Sequence, residues 1–248
     1  MSSINPIGSP FIELPTVDST NNYAMGLLHE GMAQHGTAIF THEQTKGKGQ
    51  RNKQWHSVRD QNIAISFVLE PQGSGQGAQW LLSQAIAVAV YEFFNKKTAG
   101  DVSIKWPNDI YWRDRKAAGI LIENIWQGSE WKMAIAGVGI NINQTDFGDL
   151  GKKAVSLRQI TGQAHDPLVL AKELCIYIDK SFQQLINEPS TITTGYKRNL
   201  YRINETVRLK QGSRIFEATI KDVSPEGQLI VQHSIEERFS VGEIEWIG

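Results

Sequence analysis

Lys105-Trp106-Pro107-Asn108-Asp109, answered a few residues on by Arg115-Lys116-Ala117-Ala118-Gly119-Ile120-Leu121, is the stretch whose reading decides the rest. Val102 to Trp106 has the composition of a strand, and Pro107-Asn108-Asp109 breaks it. Short apolar runs follow at 110–112 and 120–126, Gln127-Gly128-Ser129 reads as a turn, and 131–142 returns as a strand. Lysines at the end of one strand and the start of another can share one pocket. An ammonium there is a point charge for a phosphoryl or carboxylate oxygen. Taken alone, each half reads better as a tight turn with surface lysines.

Toward the N-terminus, Ile63, Ile65, Phe67 and Leu69 alternate with Ala64, Ser66 and Val68, which predicts a strand with one heavy apolar face. Gln72 to Gly77 is a flexible loop, and Trp80 to Phe94 has no breaker, which predicts a buried helix. Asp18-Ser19-Thr20-Asn21 offers N-cap residues ahead of Ala24, Leu27, Leu28 and Met32 at helical spacing. Toward the C-terminus, Leu170, Leu174, Ile178, Phe182 and Leu185 share one helical face, and Glu188-Pro189-Ser190 ends that helix. Residues 199–204 read as a boundary. Beyond it come only short strands, at 207–209, 216–223, 229–232 and 238–246, about the size of an SH3-like barrel. The expected architecture is α+β: a mixed β-sheet flanked by helices over 1–200, then a small C-terminal SH3-like β-barrel over 201–248.

Twenty-five Lys and Arg against 26 Asp and Glu leave a net charge of −1, so no global field draws in nucleic acid or an acidic membrane. Any basic site must be a local cluster. One cysteine, Cys175, excludes an internal disulfide and a Cys-based zinc site. The opening residues lack the basic and apolar regions of a signal peptide, and no apolar run reaches membrane-spanning length. A cytoplasmic protein is expected, with no membrane partner.

Two further segments carry chemistry. Gln44-Thr45-Lys46-Gly47-Lys48-Gly49-Gln50-Arg51-Asn52-Lys53-Gln54-Trp55 sets four cations beside two glycines. Glycine lets backbone N–H groups face an anion while the cations neutralise it. It is neither a Walker loop nor a dinucleotide fingerprint, and alone it is as easily a solvated basic loop. In Gly137-Val138-Gly139-Ile140-Asn141, two glycines inside a strand mark a close approach or a bulge.

In this order, and together with the Asp18-Ser19-Thr20-Asn21 box, these segments closely resemble the biotin–protein ligase (holocarboxylase synthetase) catalytic family, over roughly residues 15–145. The C-terminal barrel also fits. The resemblance implies a class II synthetase-like fold and an enzyme that joins biotin to ATP with Mg²⁺. The products are biotinyl-AMP and pyrophosphate, and biotin then passes to one lysine of a biotin carboxyl carrier domain. It implies that Ser19, Thr20 and Gln44 hold the biotin ureido group, with Asn21 also in the biotin site, that Lys48, Gly49 and Gln50 continue the biotin loop, and that Gly119 and Gly137 clear space. Lys116 is the lysine expected to reach the biotin carboxylate and the α-phosphate, with Lys105 and Arg51 as its catalytic companions. Arg51, Lys53, Trp55, Lys105, Asn108 and Asn141 are expected beside the nucleotide, and Asp109 near Mg²⁺ through water.

The chain departs from the family where arginines are frequent. Lys48 and Gln50 replace two of them, Lys53 another, and Asn52 stands for a common glycine; Arg51 is the candidate for the missing phosphate contact. Only 17 residues precede the Asp18 box, too few for the DNA-binding domain of some relatives, so no DNA role is expected. Oligomeric state is open, with a homodimer as one outcome. Rival readings are a lipoate- or octanoate-transferring relative, a non-enzymatic recruitment module, and single-strand nucleic-acid binding by the basic loop. Because the motifs end before Asn143, the barrel is expected to serve carrier docking more than adenylation, or else merely to cover the core.

Overall fold

The structure is a computed structural model and describes residues 5–247 apart from Ser74 and Lys152. In chain order it begins β1 (Phe11–Leu14), α1 (Thr20–His29), β2 (Ala38–Thr41), β3 (Asn62–Leu69) and α2 (Gly75–Thr98). The hairpins β4 (Val102–Lys105), β5 (Asp109–Trp112), β6 (Arg115–Gln127) and β7 (Glu130–Asn141) follow. Three helices come next: α3 (Leu157–Thr161), α4 (Pro167–Asn187) and α5 (Pro189–Arg198). The chain closes with β8 (Thr206–Gln211), β9 (Arg214–Val223), β10 (Leu229–Gln232), β11 (Glu236–Phe239) and β12 (Glu245–Ile247).

The first seven strands form one mixed sheet, in the order β1-β2-β3-β7-β6-β5-β4. Only β1 and β2 pair in parallel. β3 lies near its centre and all eight of its residues are buried. Ile63, Ile65, Phe67 and Leu69 enter the main core with α2 and α4, while Val68 packs with Ala24 of α1. Helices therefore cover both sides of this strand, and the alternation seen in sequence separates two buried faces rather than core from solvent. α2 is apolar almost all round because it lies between the sheet and α4 and α5.

The expected face of α4 holds, since Leu170, Leu174, Ile178, Phe182 and Leu185 are all buried. Asp166 caps its N-terminus, accepting from Leu168 N at 2.8 Å, and Pro167 takes the first helical position. The stop at Glu188 is real, but a second helix, α5, starts at Pro189. Its β-branched and glycine-containing sequence argues weakly for a helix, and burial of Ile192 and Tyr196 stabilises it instead.

The C-terminal strands form a five-stranded antiparallel sheet in the order β11-β10-β9-β8-β12. The single strand expected at 238–246 is two strands at opposite edges, split by a turn at Gly242 (φ +107°). The segment joining the two sheets turns back on the first, Leu200 bridging Ile104 of β4. Among the described residues, no helix is long and apolar enough to cross a membrane.

Candidate active site

A cavity of about 760 Å³ opens where α1, the Gln44–Trp55 loop, the turn between β4 and β5, and the centre of β6 and β7 converge. Of the residues to which the resemblance gives a site role, every one lines it except Lys105.

The N-terminus of α1 supplies neutral hydrogen-bonding groups. Ser19 is the N-cap residue by backbone geometry, yet its side chain makes no capping bond and is almost fully buried. The cap comes from another segment, for Gln44 Oε1 accepts from Thr20 N at 2.8 Å. This fixes the Gln44 amide and leaves its N–H₂ group without a protein acceptor among the described residues. Below lies Ser66 of β3, 2.7 Å from Thr20 Oγ1 and 2.6 Å from Asn21 Oδ1. Asn21 Nδ2 donates to Glu123 Oε2 at 2.7 Å, and Glu123 Oε1 accepts from Lys48 Nζ at 3.3 Å. Glu123 thus ties α1 to the glycine loop. Neither Ser66 nor Glu123 was given a site role from sequence, although Glu123 ends the motif that begins at Arg115; for Ser66 the signal available was a polar residue inside an apolar strand run.

The loop is a narrow hairpin. Trp55 N donates to Gly47 O at 2.9 Å, Gly49 N donates to Lys53 O at 2.7 Å, and Lys48 bridges Gln54. A Cβ at Gly47 would fall on the Trp55 carbonyl, so this position needs glycine for a close backbone approach. Arg51 stands at the tip in the left-handed region (φ 54°). Its guanidinium packs on the C-terminal sheet, 2.7 Å from where a Cβ at Gly242 would sit.

Strand glycines shape the floor, and protein side chains fill the space they leave. A Cβ at Gly139 would land on the Trp55 indole, and one at Gly137 on the Asn21 amide. The expectation that Gly137 clears room directly for a ligand is thus corrected: it admits Asn21. Gly119 faces Lys116 and Trp55.

Lys116, on β6, forms an ion pair with Asp109 of β5, Nζ to Oδ1 2.6 Å, and lies 5.9 Å from the Trp55 ring centroid. Asn108 and Asn141 turn their amide N–H₂ groups into the protein. Asn108 donates to Ile120 O, and Asn141 to Val155 O at 3.2 Å. Their carbonyl oxygens, and one N–H of Asn108, are left for a ligand. A second loop, Gln144 to Leu150, closes the far wall and had no motif to announce it.

Lys105 is the correction of most consequence. It does not share the cavity with Lys116 but is enclosed by Tyr111, Tyr201 and Trp246. Burial pulls its pKa down to about 8. The C-terminal sheet covers that side of β4, which local sequence could not reveal. Among the described residues, no three His, Cys, Asp or Glu side chains converge to hold a metal ion.

The arrangement joins a neutral set suited to a ring with donors and acceptors to a lysine suited to a developing negative charge. The family profile described as "Biotin/lipoate A/B protein ligase family" matches residues 13–141. The chain is 28% identical over 230 residues to the "Bifunctional ligase/repressor BirA" of Bacillus spizizenii, covering 91% of this chain and 70% of that protein. It is 29% identical over 231 residues to the "Biotin--[acetyl-CoA-carboxylase] ligase" of Paracoccus denitrificans, covering 88% and 92%. The fold matches the Aquifex aeolicus biotin protein ligase solved with biotin and ATP, with a TM-score of 0.79 at 24% identity over 96% of this chain and 98% of that one.

Proposed function

The chain belongs to the biotin/lipoate A/B protein ligase family, and from that premise we propose that it activates biotin as biotinyl-5'-AMP and transfers it to a lysine of a biotin carboxyl carrier domain. A biotin carboxylate oxygen attacks the α-phosphorus of ATP; the C(O)O–P bond forms and the Pα–O bond to pyrophosphate breaks. The carrier amine then attacks the acyl carbon, the C–N bond forms, AMP leaves and the amine gives up a proton.

The observation that carries this reading is the Lys116–Asp109 pair set in the same cavity as Thr20, Gln44 and Asn21. The Gln44 amide N–H₂ and the Ser19 hydroxyl are the groups offered to the ureido ring. Lys116 meets the carboxylate and the α-phosphate and stabilises charge in both half-reactions. Arg51 and Lys53, on the loop, and the carbonyl oxygens of Asn108 and Asn141 stand as nucleotide contacts. Trp55 anchors the loop against Gly139.

Mg²⁺ belongs to this reaction as part of the ATP substrate. The donor set fits an ion carried on phosphate oxygens with its own waters, since among the described residues no protein cage converges, and Asp109, like Asp146 and Asp149, is a carboxylate lining the cavity. The protein incubated with biotin, Mg-ATP and a carrier domain should add one biotinyl group to the carrier by mass. Lipoate in place of biotin should add nothing. Transfer of lipoate alone would overturn the reading.

A further inference from the structure

The turn that carries the deciding motif is held from behind by the C-terminal sheet at two points. Trp106 Nε1 donates to Gly227 O at 2.9 Å. Beside it, Lys105 Nζ lies 4.6 Å from the ring centroid of Tyr111, 5.0 Å from Trp246 and 5.5 Å from Tyr201. The rings come from β5, from β12 and from the segment joining the two sheets. They also pack on one another, Tyr111 to Tyr201 at 5.2 Å and Tyr201 to Trp246 at 5.7 Å. An ammonium so enclosed exchanges water for ring faces, a contact that strengthens with desolvation.

The cage lies outside the cavity, but its next rung does not. Lys105 pairs in register with Asp109 across the β4–β5 hairpin. Asp109 holds Lys116 at 2.6 Å and pairs with Gly119 on the neighbouring strand. Lys105 thus stands one hairpin rung from the Asp109–Lys116 pair.

We infer that Trp246, assisted by Tyr201, is a positioning residue for adenylation: the last strand of the chain cages Lys105 and so sets the rung on which Asp109 orients Lys116. This rests on the biotin-adenylating function proposed above. It also reverses the expectation that adenylation is independent of the C-terminal module. The charged groups facing Lys105 are Asp109 from β5, Lys116 from β6, Asp114 from the β5–β6 turn and Lys153 from the segment before α3; the phenols of Tyr111 and Tyr201 stand beside it. With burial lowering its pKa to about 8, Lys105 is cationic at neutral pH and loses its charge in mildly alkaline solution.

The test compares full-length wild type, Trp246→Leu and Trp246→Phe in biotin-dependent pyrophosphate release, from about pH 6.5 to 9.5, with a thermal melt at each pH. Trp246→Leu should lower kcat by about tenfold, with KM for biotin changed by less than about threefold. Its alkaline inflection should move upward as Lys105 regains water. Trp246→Phe keeps a ring and should restore most of kcat and the original inflection. Should Trp246→Leu melt below the assay temperature, Lys105→Met keeps the bulk and removes the charge, and it should erase the inflection. A Trp246→Leu protein with a lower melt but wild-type kcat and pH profile makes the cage mere glue between sheets and overturns the inference. In the Lys105→Met arm, an unchanged inflection does the same. Wild type that releases no biotin-dependent pyrophosphate overturns the functional reading itself, and this inference with it.

Discussion

Lys116 Nζ is held 2.6 Å from Asp109 Oδ1, while the two side chains remain 33% and 27% exposed. A pair with that much water access is worth at most about 1 kcal/mol. The grip is weak enough to release. On the proposed function, an arriving carboxylate or phosphate would offer Lys116 another anion, with Asp109 keeping the ammonium in the cavity until then.

Lys116→Ala should therefore leave the fold intact and stop adenylation. Loss of a charge-stabilising donor costs about 2.7–4 kcal/mol, a rate loss of ~10²–10³, against a stability change within about 1 kcal/mol. Pyrophosphate release by the purified variant, beside its melting curve, measures both. Near wild-type turnover would remove Lys116 from the chemistry.

Gly139→Ala tests the floor. The new methyl would land on the Trp55 indole, which also packs beside Gly119. Overpacking of this kind costs roughly 1–3 kcal/mol. The expected result is a lower melting temperature and a raised KM for both substrates, because Trp55 closes the loop hairpin through its bond to Gly47. Unchanged KM values with a normal melt would show that Trp55 has room to move.

The Thr45–Gln54 segment is expected to tighten when both substrates are present. It holds Lys46, Lys48, Arg51 and Lys53, four like charges on one hairpin, and an anion relieves their repulsion. Closing it also keeps water from a reactive mixed anhydride. These residues are trypsin sites, so cleavage here should slow with biotin and ATP together and change little with either alone. Equal cleavage under all conditions would contradict the idea.

His35 predicts a loss of stability in mild acid. It is buried against Phe182, its Nδ1 accepts from Glu70 N at 3.0 Å, and its Nε2 has no partner among the described residues. Burial lowers its pKa from the usual 6.5, opposed by Glu70 and Asp179. The folded protein thus binds fewer protons than the unfolded chain once pH falls through about 6.5, and stability drops by at most ~1.4 kcal/mol per pH unit for this proton. His42, between Glu13 and Asp60, is shifted upward and acts oppositely: its contribution is present in acid and lost as pH rises through its elevated pKa. Urea midpoints at about pH 7.5 and 5.5 should differ less in His35→Asn, which keeps the acceptor and cannot titrate. An equal difference in both proteins would exclude His35 as the source.

Much of this protein is determined by the sequence alone, because the relevant physics is local. A period of two specifies β3, the helical face of α4 follows from Leu170 to Leu185, and the turn after Lys105 follows from Pro107 and Asn108. The motif residues of the cavity were legible for the same reason: glycines, caps and lysines announce turns and anion contacts at short range. Tertiary structure alone decided the rest. β1 and β2 are four residues each, and α5 has poor propensity, so burial against distant elements makes them. Ser66 and Glu123 became part of the site only when β3 and β6 were brought under α1. Above all, alternation along β4 places Lys105 on a face but cannot say what covers that face. The chain returns there at Leu200, which bridges Ile104, and Trp246 packs on Lys105 across more than half the chain; enclosure by three rings, not the local motif, determines where that lysine sits.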